Sequence, residues 1–231
     1  MTLRAVLFDA GNTLLFLDFP RMAREVGRAV GLPLTTEQLE AQAKPAALVL
    51  ERGEATDRDR ASVYLETLFT MAGVPRAKLG TVRQRLLELH RERHLWSSVD
   101  PETPASLERL RAAGLRLGVV SNSDGRVDEA LRAARLHNFF EVVIDSQLVG
   151  FEKPDPRIFQ AALERLDVLP AEALYVGDIY EVDVVGSRRA GMDVILLDPL
   201  GNHGERDAQT ARGIRDLTDQ LLLRTDRRGE P

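Results

Sequence analysis

Four apolar residues near the start of the chain, Ala5-Val6-Leu7-Phe8, end abruptly at an acid, Asp9. A run without alternating polar residues is typical of a strand that is buried on both faces of a parallel sheet. Four similar runs follow, at 115–120, 142–144, 174–176 and 194–197. Helical patterns lie between the later runs, at about 103–113, 126–135, 158–166 and 180–190. This alternation predicts right-handed βαβ units and a doubly wound parallel sheet of the α/β class.

Residues 17–95 break the alternation, because they hold no strand-like run and several amphipathic helical patterns. Apolar residues three or four apart recur from Ala61 to Ala72 and from Leu79 to Leu89. Such spacing places them on one face of a helix. We therefore expect an inserted bundle of four helices over 17–95, within an α/β core formed by 1–16 and 96–231. A turn at 201–204, a last helix to about 224 and a frayed end at 225–231 complete the expected chain.

Composition narrows the classes of function. The chain has 231 residues, and its 31 Lys and Arg against 36 Asp and Glu give a formal net charge of −5. This mild acidity argues against a nucleic-acid partner, which requires neutralisation of phosphates. The absence of cysteine excludes disulfides, thiol catalysis and Cys-ligated metal sites. No apolar run approaches the ~20 residues that cross a bilayer, so we expect a cytoplasmic protein with no membrane partner.

Polar side chains follow several of the predicted strands. The residues at these positions are Asp9 and Thr13 after the first strand, Ser121 and Asn122 after the second, Lys153 near the third, and Asp178 and Asp183 after the fourth. In an open parallel sheet, ligands bind beyond the carboxyl ends of the strands. Each residue taken alone could be a helix cap or an exposed loop residue. Together, in this order, they predict a polar functional site.

The same ordered motifs resemble those of the haloacid dehalogenase-like (HAD) superfamily. The matching segments are Asp9-x-x-x-Thr13-Leu14, Ser121-Asn122, Lys153-Pro154 and Val176-Gly177-Asp178 followed by Asp183. The helical insertion after the first motif is similar to the type 1 helical cap of subfamily I. The resemblance implies a Rossmann-like core, a helical cap, and a hydrolase that acts on a small phosphorylated molecule.

The resemblance also implies a role for each residue. Asp9 would attack phosphorus and form an aspartyl-phosphate that water then hydrolyses. The implied catalytic residues are Asp9, Thr13 and Lys153, with Thr13 orienting the loop of the first motif. The implied ligands of Mg²⁺ are Asp9, Asp178, Asp183 and the backbone carbonyl of Gly11. The implied phosphate-binding residues are Ser121, Asn122 and Lys153.

One position departs from the family's pattern. Family phosphatases usually carry a second Asp two residues after the nucleophile, as a general acid and then a base, and here that position is Gly11. A positioned acid–base group contributes typically ~10²–10⁴-fold, so hydrolysis of alkyl phosphates should be slowed by about that factor. Candidates for a substitute acid are Glu181, Asp124 and Asp18.

Three interpretations of Gly11 remain open. The first is a magnesium-dependent phosphatase with weak or leaving-group-selective activity. The second is a 2-haloacid dehalogenase-type hydrolase, in which halide departs without a proton; a phosphonatase-type variant would instead need a cap lysine, Lys44 or Lys78. The third is a catalytically weak binding module that holds Mg²⁺ without turnover. The sequence leaves the natural substrate open, and it leaves both a monomer and a homodimer open.

Overall fold

The computed structural model describes residues 2–51, 57–199, 201 and 207–226. The strands are β1 (Ala5–Phe8), β2 (Phe16–Leu17), β3 (Trp96–Ser98), β4 (Arg116–Ser121), β5 (Val142–Asp145), β6 (Ala173–Gly177), β7 (Asp193–Leu197) and β8 (Gln209–Ala211). The α-helices are α1 (Phe19–Val30), α2 (Thr36–Glu51), α3 (Asp57–Met71), α4 (Leu79–Glu92), α5 (Thr103–Ala112), α6 (Val127–Ala133), α7 (Ser146–Val149), α8 (Pro156–Leu166), α9 (Val185–Arg189) and α10 (Ile214–Asp226).

Six strands form one parallel sheet in the order β5-β4-β1-β6-β7-β8, and β2 pairs with β3 separately. The first strand of the chain is therefore flanked by β4 on one side and by β6 on the other. Phe8 at the end of β1 is level with Val119 of β4 and Val176 of β6. The strand order reverses at β1, which makes its carboxyl end the switch point where such sheets bind ligands.

Neighbouring residues of each strand belong to different hydrophobic cores. In β1, Val6 and Phe8 pack in a cluster with α5, α6 and α10, whereas Ala5 and Leu7 pack in a cluster with α8. Burial of both faces explains why β1 is apolar at every position. Helices on both faces of a parallel sheet confirm the predicted doubly wound, Rossmann-like α/β core.

The stretch predicted to be an inserted bundle, as far as its residues 17–51 and 57–95 are described, holds the four α-helices α1 to α4. Helix α1 packs against α2 and α4, and α3 packs against the same two helices. Asp18 caps the start of α1 by accepting from the Arg21 amide at 3.0 Å, and Gly31 ends it with a φ of +64°. The Arg21 side chain then donates to the Leu89 carbonyl at 2.7 Å and the Arg93 carbonyl at 2.9 Å, which satisfies the end of α4.

Contacts within the chain divide it into two compact units, Met1–Phe16 with Trp96–Pro231, and Leu17–Leu95. In the part of the chain that the structure describes, no helix is long and apolar enough to span a membrane.

Three features of the fold differ from the sequence-based expectation. The short strands β2, β3 and β8 add to the five predicted. The helix expected over 180–190 is a π-helix at Tyr180–Val184 followed by α9. The last helix continues to Asp226, so Thr225 and Asp226 are helical where fraying was expected. Most of the turn expected at 201–204 and the end at 227–231 lie outside the described residues.

Candidate active site

A buried lysine stands at the centre of the polar residues that follow the strands. Lys153 lies in the loop before α8, is 3% exposed, and donates from Nζ to Asp9 Oδ1 at 2.6 Å. The same ammonium donates to Asp183 Oδ1 at 2.8 Å and to the Tyr175 hydroxyl at 3.0 Å. All three of its N–H groups therefore have acceptors, and one cation joins groups from three separate segments of the chain.

Three carboxylates gather around this lysine. Asp9, Asp178 and Asp183 each have an oxygen within 4.8 Å of the others. Asp9 directly follows β1, and its amide donates to the Val176 carbonyl of β6 at 2.8 Å. When all are ionised, three carboxylates and one ammonium leave a formal charge of −2. That excess of negative charge, carried by oxygen atoms, fits a divalent cation such as Mg²⁺.

The π-helix after β6 brings Asp183 back to the strand end. Its Oδ2 accepts from the backbone amides of Asp178 at 3.1 Å and Ile179 at 2.9 Å. A Cβ at Gly177 would lie 2.4 Å from the Asp183 carboxylate, so only glycine leaves room for this approach. The other oxygen of Asp183 stays directed at Lys153. Isolated π-turns of this kind are frequent at functional sites.

Burial and neighbouring charges shift the pKa values of Asp9, Asp178 and Lys153. Burial raises the pKa of Asp9 to about 6, with Asp183 adding to the rise and Lys153 opposing it. Burial also raises the pKa of Asp178 well above its usual range, reinforced by Asp9 and Asp183, although part of its surface is exposed. Burial alone would lower the pKa of Lys153, but Asp183 and Asp9 outweigh it and hold that pKa well above the ordinary value. Mutual repulsion of the carboxylates is the kind of strain that a bound cation relieves.

Asn122 ties the loop after β4 to the lysine loop. Its side-chain amide donates to the Lys153 carbonyl at 3.0 Å, and its side-chain oxygen accepts from the Lys153 amide at 2.7 Å. The Asn122 side chain thus anchors Lys153, and the predicted phosphate contact would fall to its backbone. Ser121, the last residue of β4, is 4% exposed at the adjacent strand end.

Gly11 lies in a loop that follows Asp9. Its φ is outside the left-handed region, and a Cβ there would meet Trp96 Nε1 at 3.6 Å and Cδ1 at 3.7 Å, which is ordinary contact. The neighbouring Asn12 does adopt a left-handed φ of +54°, which Asn tolerates better than most residues. Its side-chain oxygen accepts from Trp96 Nε1 at 3.2 Å, and its side chain also hydrogen-bonds Asp178.

Thr13 is 1% exposed, and its Oγ1 has no hydrogen-bond partner among the described residues. The loop is held instead by backbone bonds from the amides of Leu14 and Leu15 to the Ala10 carbonyl, at 2.9 and 2.8 Å. A buried hydroxyl without a hydrogen-bond partner is costly, so Thr13 Oγ1 is suited to hydrogen-bond a water or a ligand oxygen bound at the site.

The candidate substitute acids and the two lysines of Leu17–Leu95 differ in exposure and in hydrogen bonding. Both carboxylate oxygens of Asp18 are used, one at the cap of α1 and the other by Arg93 at 2.5 Å. Glu181 and Asp124 are exposed. Lys44 is exposed, and Lys78 donates to the Val30 carbonyl at the end of α1 at 2.5 Å.

Besides Asn12, the sequence interpretation missed Tyr175 and Asp145. Tyr175 sits within an apolar strand run, where it is indistinguishable from a core aromatic. Asp145, at the end of β5, is 3% exposed and accepts from the amides of Gly125, Val127 and Gln147 at 3.0–3.2 Å. It thereby fixes the loop that follows Ser121. The sequence signal that could have identified Asp145 is its position directly after a predicted strand.

Comparison with known proteins gives consistent results. The model of the haloacid dehalogenase-like hydrolase family matches residues 3–191. Glyceraldehyde 3-phosphate phosphatase of Methanothermobacter thermautotrophicus is 34% identical, over 94% of this chain and 94% of its own. Haloacid dehalogenase-like hydrolase domain-containing protein 3 of Mus musculus is 35% identical, over 98% and 95%. The crystal structure of a HAD phosphatase from Thermococcus onnurineus superposes with a TM-score of 0.61 at 28% identity, covering 95% of this chain and 98% of that one.

Proposed function

The chain belongs to the haloacid dehalogenase-like hydrolase family, and we propose that it is a magnesium-dependent phosphomonoesterase that forms an aspartyl-phosphate on Asp9. The observation that carries the proposal is the buried ammonium of Lys153, shared by Asp9 and Asp183 beside a third carboxylate, Asp178. Relatives named as phosphatases at about a third identity support a phosphorylated substrate. By that analogy the substrate is a small phosphorylated molecule.

The donor set fits Mg²⁺, a hard cation that binds carboxylate and carbonyl oxygens and keeps several waters. The residues that would hold it are Asp9, Asp178, Asp183 and the carbonyl of Gly11. When bound, the ion would supply positive charge between the Asp9 carboxylate and a phosphate dianion, which otherwise repel each other. The orphaned hydroxyl of Thr13 fits an adjacent water or phosphoryl oxygen.

The chemistry assigned to this chain's own residues is displacement at phosphorus in two steps. A carboxylate oxygen of Asp9 forms a bond to phosphorus as the bond to the leaving-group oxygen breaks, and water then cleaves the acyl phosphate to release inorganic phosphate. Lys153 stabilises negative charge on Asp9 and on the phosphoryl group. Ser121 and the backbone after it would bind the phosphoryl oxygens.

Gly11 makes the proposed enzyme selective for the leaving group. The side chain that would protonate the departing oxygen in related phosphatases is absent, and Asp18, one of the substitutes considered, is engaged as a helix cap. Catalysis should therefore favour substrates whose leaving group departs as a stabilised anion. We assign Leu17–Leu95 as the cap that recognises the rest of the substrate. The cytoplasmic location and the choice between monomer and homodimer stay predictions.

The dehalogenase interpretation is weaker on physical grounds. Displacement of halide by a carboxylate needs no cation, whereas burial and the neighbouring carboxylates raise the pKa values of Asp9 and Asp178, so grouping these acids is unfavourable without a cation. The binding-module interpretation shares the same site and differs only in predicting no turnover.

The test is hydrolysis of p-nitrophenyl phosphate by the wild type and by Asp9→Asn, each with Mg²⁺ and with chelator. We expect magnesium-dependent turnover that falls by at least ~10³-fold in Asp9→Asn, because the amide is a poor nucleophile. Arg109→Gln is a matched control, since Arg109 forms an exposed ion pair with Asp219 on the surface. Absence of turnover in folded wild type, with magnesium binding retained, would favour the binding module. Halide release from a 2-haloacid without Mg²⁺ would favour the dehalogenase.

A further inference from the structure

Tyr175 is a fully buried tyrosine whose hydroxyl bridges two elements of the site. It lies on β6, level with Leu7 of β1, and its hydroxyl donates to the Val120 carbonyl of β4 at 3.0 Å. Since β1 lies between β6 and β4, the side chain passes over the central strand. Val120 directly precedes Ser121, so this bond is made at the end of the strand that carries the predicted phosphate-binding residues.

The same hydroxyl accepts a hydrogen bond from Lys153 Nζ at 3.0 Å. Because its proton is used on Val120, a lone pair of the oxygen is directed to the ammonium. Asp9 and Asp183 take the other two N–H groups of Lys153. Of the three groups that accept hydrogen bonds from Lys153 Nζ, the Tyr175 hydroxyl is thus the uncharged one. Burial raises the pKa of Tyr175 well above its ordinary value, so the hydroxyl remains protonated.

Packing alone does not account for this hydroxyl. The ring of Tyr175 makes an edge contact with Phe159 of α8, with centroids 4.9 Å apart, and a phenylalanine would preserve that contact. Without the oxygen, one N–H of a 3%-exposed ammonium would have no acceptor at this position. Such a group is costly, and the ammonium would move toward one carboxylate or toward water.

We propose that Tyr175 is a positioning residue, which holds the Lys153 ammonium between Asp9 and Asp183 and thereby sets the charge that faces the phosphoryl group. The inference deepens the proposed phosphatase and rests on it for its kinetic consequence. The placement of Lys153 itself does not depend on the reaction and can be measured separately.

The first measurement observes the lysine directly. The chain has only three lysines, Lys44, Lys78 and Lys153, so NMR of isotope-labelled lysine side chains yields at most three ammonium signals. Lys44 is exposed, and Lys78 is half-buried with a hydrogen bond to the Val30 carbonyl, whereas Lys153 is buried. We therefore expect the signal most protected from exchange with water to be that of Lys153 and to be absent in Lys153→Met. In Tyr175→Phe that protected signal should exchange at least about tenfold faster.

The second measurement is steady-state hydrolysis of p-nitrophenyl phosphate with Mg²⁺. In Tyr175→Phe we expect kcat to fall by about tenfold, the loss of one hydrogen bond to a charged group, with KM within about twofold. The control is Thr218→Val, which removes another buried hydroxyl, one that donates to the Ile214 carbonyl at 2.8 Å in α10. It should lower thermal stability without changing kcat or the lysine signal.

The outcomes separate the two proposals. A faster-exchanging Lys153 signal together with the selective loss of kcat supports the positioning role. An unchanged lysine signal, or an equal loss of kcat in Thr218→Val, overturns it. A folded wild type without turnover would refute the phosphatase. In that case the exchange rate of the lysine signal alone would support or refute the positioning of Lys153 by Tyr175.

Discussion

Substitution of Gly11 by aspartate tests the role assigned to the absent acid. The backbone admits the change, because Gly11 is not left-handed and a Cβ would meet Trp96 at 3.6–3.7 Å. A well-placed acid–base group is worth ~10²–10⁴-fold, or roughly 3–5 kcal/mol of barrier, for a leaving group that needs a proton. The variant Gly11→Asp should therefore increase hydrolysis of alkyl phosphates.

The surroundings set the size of the expected gain. Trp96 Nε1 lies 3.6 Å from the added Cβ, and its N–H already donates to Asn12. Sharing that hydrogen bond with the introduced carboxylate would favour the ionised form of the carboxylate and lower its pKa. Since a general acid must be protonated, we expect a gain at or below the lower end of that range, roughly ten- to hundredfold in kcat/KM. Trp96→Phe in the same background removes that donor and should increase the gain further.

The assay compares glycerol phosphate, an alkyl substrate, with p-nitrophenyl phosphate in wild type, Gly11→Asp and Gly11→Asn. The asparagine has the same size and no proton to give, so it controls for sterics. Only the aspartate should reduce the preference for the nitrophenyl substrate. The reasoning would be refuted if wild type already hydrolysed both substrates at similar rates, or if Gly11→Asn produced the same gain.

Three further predictions concern the proposed metal site and the core. Because burial raises the pKa values of Asp9 and Asp178, their protonation stabilises the metal-free fold at low pH, and the contribution of Asp9 is lost as pH rises through about 6. Mg²⁺ must displace these protons, so its increase in Tm, followed by thermal melts, should be larger at about pH 7.5 than at about pH 5. Gly118→Ala should lower the free energy of unfolding by roughly 1–3 kcal/mol in chemical denaturation, because its Cβ would lie 2.6 Å from a Val142 methyl. The control Gly80→Ala in α4 meets nothing within 4 Å and should be neutral or stabilising. Equal effects of the two substitutions would contradict the packing argument. Asp145→Ala should lower the free energy of unfolding by at least about 2 kcal/mol, since it leaves three backbone amides without their acceptor, and an unchanged denaturation midpoint would count against that role.

The core strands were predictable because burial on both faces leaves a continuous apolar run. Strand β8 was not, since Gln209 and Thr210 are exposed at the edge of the sheet and carry no such run. The π-helix was predicted as an ordinary helix, because residues spaced for a helix do not reveal one wider turn. The wider turn is held by Asp183, which accepts hydrogen bonds from the two backbone amides after Gly177, and these atoms are brought together only by the fold.

In the candidate site, too, positions at strand ends were predictable from the sequence, whereas contacts between distant residues were not. The proximity of residues at strand ends, such as Asp9 and Asp178, was predictable because a sheet gathers its strand ends at one edge. The bonds between them were not, because Lys153 meets Tyr175 and Asp9 across long stretches of sequence. Asn12 was overlooked because only its left-handed backbone turns its side chain toward both Trp96 and Asp178.

The interrupted core has a consequence for the order in which the protein folds. Ala5 of the central strand pairs with Arg116 and Ala173, far along the chain, so β1 has no sheet partner until those strands exist. The helices of Leu17–Leu95 are contiguous and rely on short-range contacts, which form faster than distant ones. During synthesis, this insertion can fold while the strand before it waits unpaired. The environment of Asp9, the proposed nucleophile at the end of that strand, is thus completed only when β4 and β6 pair with β1.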